Sequence, residues 1–173
     1  MTKHVHLLLT PEKEDGASLL MKHLGQRYVQ YINRTYKRSG TLWEGRFRSC
    51  LTQDEAYVLA CYRYIELNPV RANMVSHSRY YRWSSYRVNA EGEQSDLITP
   101  NEQYLRLGIT DDLRRKAYHG LFKAHIDEDV IDDIRASTNG NYVLGNERFK
   151  DQIADVLKRR VVPGKAGRPV KLD

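Results

Sequence analysis

The stretch 52-TQDEAYVLACYRYIELNPVRA-72 decides how the chain is read. Thr52 and Glu55 are spaced as a capping box, so a helix is expected to start there. It is expected to run to about Asn68, because Pro69 lacks an amide hydrogen and biases its predecessor away from helical angles. Tyr64 and Asn68 are four residues apart and therefore share a helix face, one turn from each other. Tyr62 lies on nearly the opposite face, with Val58 and Ile65 in a packing stripe. Taken alone, Tyr64 reads as a core aromatic and Asn68 as a cap before proline.

The N-terminal stretch 4-HVHLLLT-10 changes that balance. It reads as a buried strand ended by Pro11, and alternation along a strand points His4 and His6 to one side. Alone, the pair also reads as two polar residues near a frayed end. Two imidazoles plus the amide oxygen of Asn68 form a donor set suited to a divalent metal, Mg²⁺ or Mn²⁺, acting on phosphate oxygens. Tyrosine is a weak nucleophile at its reference pKa of about 10, and a nearby cation favours the phenolate. Tyr64 is thus the candidate nucleophile, and His4, His6 and Asn68 are the candidate metal ligands. A histidine-triad nucleotide enzyme would need a third alternating histidine, but position 8 is Leu8.

Between these stretches, Leu20, Leu24, Tyr28, Tyr31 and Ile32 recur at helical spacing, predicting a helix over about 17–37. Residues 42–51 read as a second strand, with Trp43, Phe47 and Leu51 on one face and Glu44, Arg46, Arg48 and Cys50 on the other. A solvated strand face explains Arg46 and Arg48, and so does a phosphate grip, because forked guanidiniums match phosphate oxygens. Residues 70–90 are rich in Arg, Tyr and Ser, and 91–99 form a polar linker. Beyond it, short helices are expected from Thr99-Pro100, over 111–124, over 127–137 and over 146–160, with Asn139-Gly140 as a turn. The tail from Val161 to Asp173 is basic and rich in Gly and Pro, so it is expected to be extended. Arg159, Arg160, Lys165 and Arg168 at this end are candidate DNA contacts, the Gly-Arg-Pro segment suiting a minor groove.

The 173 residues carry a formal net charge of +6, which favours a polyanionic partner. Cys50 and Cys61 show neither metal spacing nor a disulfide framework, so a reducing compartment is expected. The apolar run near the N-terminus is too short for a signal peptide or a membrane span, which points to a cytoplasmic protein.

The His-Val-His segment, the run 42-LWEGRF-47 and the run 64-YIELNPVRA-72 together resemble REP-associated tyrosine transposases, single-tyrosine members of the HUH endonuclease superfamily of the IS200-like type. The resemblance covers residues 4 to about 90 in order and spacing. It implies an α+β, ferredoxin-like catalytic domain over residues 1–90, followed by a helical region over 91–160 and a tail over 161–173. It implies a metal held by the histidine pair and a nucleophilic tyrosine on a following helix. The substrate would be hairpin-forming DNA cut as a single strand. Arg71 falls in the most specific run and joins the candidate DNA contacts. In related transposases the third ligand is often a glutamine four residues after the tyrosine, and here Asn68 offers the same group on a shorter side chain. The family pattern includes a further strand and helix before the histidine pair, so an N-terminally truncated domain is expected. The alternative to an active transposase is a catalytically inactive remnant that still binds hairpin DNA.

Overall fold

A computed structural model describes residues 4–164. The chain divides into two compact units, one of Met1–His6 with Ser49–Asp173 and the other of Leu7–Arg48.

The smaller unit is built on α1, Gly16–Thr35, two residues shorter at its end than the periodicity predicts. Trp43 lies beside Tyr28, with ring centroids 5.8 Å apart, and Asn33 Nδ2 donates to the Gly40 carbonyl at 2.9 Å. No residue of α1 is buried, although Leu20, Leu24, Tyr28 and Tyr31 form the expected stripe. Segment 4–10 has no strand pairing among the described residues, and most of it is exposed. A strand exists only when a neighbour accepts and donates its backbone hydrogen bonds, and apolar alternation alone does not supply one.

In the larger unit, β1 is Leu51–Thr52; residues 42–48, in the smaller unit, are irregular. The strand expected over 42–51 is therefore confined to its last residue and the one after. Helix α2 follows at Asp54–Arg71. Thr52 does not cap α2, because it pairs with Leu144 in a parallel ladder, and Gln53 takes the cap position without a side-chain cap bond. The Gln53 amide oxygen instead accepts from the Asn146 backbone at 2.9 Å.

Helix α2 runs through Pro69 rather than stopping before it. It closes at Asn73, which takes the left-handed conformation at φ 53°. Asn73 N–H donates to the Val70 carbonyl at 2.9 Å and Met74 N–H to the Pro69 carbonyl at 3.0 Å, a Schellman closure. Proline so near the end interrupts only one intrahelical bond, and its ring is fully buried.

Beyond α2, a 3₁₀ turn spans Ser78–Tyr80 and a π turn spans Arg87–Glu91, which Gly92 ends at φ 77°. Four helices follow: α3 at Glu102–Leu105, α4 at Asp111–Leu121, α5 at Glu128–Gly140 and α6 at Glu147–Leu157. Side-chain oxygens of Asn101, Thr110, Asp127 and Asn146 accept from the first turns of these helices. The turn expected at Asn139-Gly140 falls one residue later: α5 continues through Gly140, and left-handed Asn141 ends it. Between α5 and α6, β2 at Val143–Leu144 pairs with β1. Val143 N–H also donates to the Val161 carbonyl at 2.9 Å, so Val161 is buried core rather than the start of an extended tail.

Helix α2 stands between two clusters. One holds Cys61, Tyr64, Ile134 and Leu144. The other holds Tyr86, Tyr104 and Tyr118, joined by Leu59, Tyr62 and Phe122, with Tyr104 edge to face on Tyr118 and Tyr86 edge to face on Phe122. Both draw on residues from either side of the polar stretch 91–99. Glu66 sits fully buried on the second side. It accepts from Ser85 Oγ at 2.6 Å, Asn89 Nδ2 at 2.8 Å and Tyr118 Oη at 2.8 Å. Burial pushes its carboxyl up, and those hydrogen bonds oppose the shift.

Candidate active site

Tyr64 and Asn68 project from the same side of α2, as their four-residue spacing requires. His6 reaches this side from the N-terminal segment. Its ring centroid lies 5.6 Å from that of Tyr64, edge to face. Its Nε2 lies 2.9 Å from Asn68 Nδ2, a contact that spans sixty-two positions in sequence. His4 stands beside His6, with centroids 5.0 Å apart and rings nearly perpendicular. His4, His6, Tyr64 and Asn68 are thus neighbours although no strand aligns the two imidazoles. His6 is half-buried, and burial, with the nearby His4 and Arg71, lowers its pKa. A neutral imidazole keeps a lone pair for a metal.

His4, His6 and Asn68 bring two imidazoles and an amide together, groups that could hold a divalent cation. His6 Nε2 and the Asn68 amide are within hydrogen-bond distance, 2.9 Å, so these two groups would lie side by side for a cation they held. Among the described residues no three histidine, cysteine or carboxylate side chains cluster for a metal. The set here is instead two imidazoles and an amide.

Two guanidiniums attend Tyr64. Arg71 lies over the ring, 4.7 Å from its centroid, and donates to the Tyr64 carbonyl at 2.6 Å. This is one consequence of α2 passing through Pro69, since a helix ending at Asn68 would not carry Arg71 round to that side. Arg135, from α5, lies close to Tyr64 and pairs with Asp132 at 3.1 Å; both neighbours raise its pKa, Asp132 first. Arg135 was not legible in the sequence as a site residue. Its helix is distant in the chain, and its charge resembles any other on a solvated face. Tyr64 itself is only 9 % exposed, covered by this surround and by Ile134. Tyr62 packs edge to face on Tyr118, with centroids 6.3 Å apart, in the other cluster.

Arg46 and Arg48 belong to the unit Leu7–Arg48 and are exposed on irregular chain, so the strand alternation that would give them a common face is absent. Arg159 and Arg160 are exposed after α6, Arg159 donating to the Asn141 carbonyl at 3.4 Å. Lys165 and Arg168 lie outside the described residues. No helix among the described residues is long and apolar enough to cross a membrane.

No curated protein and no solved structure matches the chain significantly. A family model does: residues 1–68 match that of IS200-like transposases, a span that ends on Asn68 and includes His4, His6 and Tyr64. That match supports a transposase function and, with it, DNA as the partner. Over the segment that supplies the imidazoles, the phenol and the amide, the chain is similar to IS200-like transposases.

Proposed function

We propose that this chain is a DNA strand transferase in which Tyr64 attacks a phosphodiester of single-stranded, hairpin-forming DNA. The observation that carries the reading is the meeting of His6, Tyr64 and Asn68 on one side of α2, inside the segment that matches the transposase family. In the proposed step the phenol oxygen forms a bond to phosphorus, and the bond from phosphorus to one sugar oxygen breaks. The proton lost by the phenol is gained, in net terms, by the departing sugar oxygen. The product is a phosphotyrosine and a free hydroxyl end. Attack by another strand's hydroxyl reverses the exchange and needs no nucleotide triphosphate.

His4, His6 and Asn68 would hold the divalent metal, which when bound supplies a Lewis acid for the phosphate oxygens. Arg71 over the ring and Arg135 close by place positive charge where it would attract the scissile phosphate. Arg135 is half-exposed, and the donors it does not use on Asp132 could take an incoming phosphate. Arg46, Arg48, Arg159, Arg160, Lys165 and Arg168 would contribute sequence-independent attraction to the backbone. The reading includes a ferredoxin-like α+β core for the catalytic part, which is what the resemblance to these transposases implies.

The test is covalent capture. A labelled single-stranded hairpin incubated with Mg²⁺ or Mn²⁺ should become attached to the unmodified protein and not to Tyr64→Phe, while Tyr62→Phe should still form the adduct. An adduct on Tyr64→Phe would overturn the assignment. Hairpin binding without any adduct on the unmodified chain would favour the inactive remnant.

A further inference from the structure

The loop after α2 presents a paradox of anchoring and exposure. Its two ends are fixed to one residue of α2: Ser78 Oγ donates to the Glu66 carbonyl at 2.8 Å, and Ser85 Oγ to the Glu66 carboxylate at 2.6 Å. Arg79 pairs with Glu91 at 2.7 Å, and Arg87 Nε donates to the Arg79 carbonyl at 2.9 Å. Tyr86 is fully buried at its foot. Yet from this held backbone Trp83 is 75 % exposed and Tyr80 63 % exposed. The Arg82 guanidinium sits 4.5 Å from the Trp83 ring centroid and pairs with no carboxylate among the described residues. A large indole on a fixed loop, steadied on one side by an unpaired cation, is arranged to receive something flat and anionic.

We propose that Trp83, with Arg82 and Tyr80, is a stacking platform for unpaired bases of the DNA strand. A base has a π-face for the exposed indole and carries a phosphate for the guanidinium, a combination that recurs in single-strand binding. Bases inside a duplex have no free face, so the platform selects unpaired nucleotides. Because Glu66 holds both ends of the loop and lies two residues from Tyr64 and from Asn68, the platform keeps a fixed relation to the proposed reacting phosphate. The assignment of DNA as the occupant rests on the transposase reading. The platform itself rests on the loop.

The experiment uses the full chain in a Trp43→Phe background, which leaves Trp83 as its only tryptophan. Titration with oligothymidylate should quench the indole fluorescence, and a blunt duplex of equal length should not. Trp83→Ala, read by anisotropy of labelled oligothymidylate, should weaken binding about tenfold or more, and Trp83→Phe should recover most of it. Circular dichroism should match the parent, since the side chain is exposed. Unchanged affinity in Trp83→Ala, or equal quenching by the duplex, would overturn the platform. Tighter binding of oligouridylate than of oligothymidylate would overturn DNA as its occupant. The covalent-capture assay separates the two claims. Adducts that form with an indifferent Trp83 would leave the transferase and remove the platform, and Trp83-dependent binding without adducts would do the reverse.

Discussion

Tyr64 and Glu66 stand two residues apart on α2 and face opposite clusters. Both are almost completely covered. Around Glu66, three side-chain donors are committed to the carboxylate, one of them the hydroxyl of Tyr118 from the aromatic cluster. Around Tyr64 the polar neighbours are a neutral imidazole, an amide and two guanidiniums, one of them half-exposed. The difference teaches that burial by itself does not separate a structural polar group from a proposed reactive one. What separates them is whether the surrounding donors are already fully used. Glu66 has the more marked burial and the more complete hydrogen bonding, which marks it as the anchor of the helical part, and it offers nothing to a substrate.

The sharpest break of this comparison is to alter each side in turn. Tyr64→Phe should remove all detectable covalent adduct while changing unfolding free energy by less than about 1 kcal/mol, because the ring keeps its packing and the nearby Arg135 is half-exposed. Glu66→Ala should do the opposite in kind. It strands the donors of Ser85, Asn89 and Tyr118 and opens a cavity, for a cost of about 3 kcal/mol or more in urea unfolding. If Tyr64→Phe proves the more destabilising of the two, the division of labour is wrong.

Next in size are the imidazoles. His6→Ala and His4→Ala should raise the Mn²⁺ concentration needed for half-maximal adduct formation by about tenfold or more, with His6 the stronger because it alone touches Asn68. Adduct formation by the unmodified chain in excess chelator would defeat the metal assignment. Arg135→Ala should slow adduct formation about ten- to a hundredfold while leaving hairpin affinity close to the parent. An equal loss in both would make it a binding residue only.

The smallest effect is expected at the C-terminal end. Removing residues 165–173 takes away Lys165 and Arg168 and should weaken hairpin binding a few-fold with a shallower salt dependence, leaving adduct formation at saturating substrate intact. The cut must spare Val161, whose carbonyl bonds to β2 and whose side chain is buried. An unchanged salt slope would show that the tail does not touch DNA.

The sequence by itself determined the helices and what a single helix can align. Periodicity placed α1, α2, α4, α5 and α6 to within a few residues, because an α-helix satisfies its own backbone and its caps are local. For the same reason, the four-residue spacing of Tyr64 and Asn68 translated directly into a shared face. Only the tertiary structure decided the rest. The stripe on α1 predicted a helix correctly but not its burial, since burial depends on what lies opposite. The strands expected at 4–10 and 42–51 failed for want of a neighbour, while Leu51–Thr52 found one at Val143–Leu144, far along the chain. Helix α2 passed Pro69 because Asn73 and Met74 close its end and the ring is buried. Arg135 reached Tyr64, and three donors reached Glu66, through packing between segments that no local pattern connects. Hydrogen bonds within a helix are written in consecutive residues. Those that built the strand pair and completed the site join residues dozens of positions apart, and their partners are fixed only when the chain has folded.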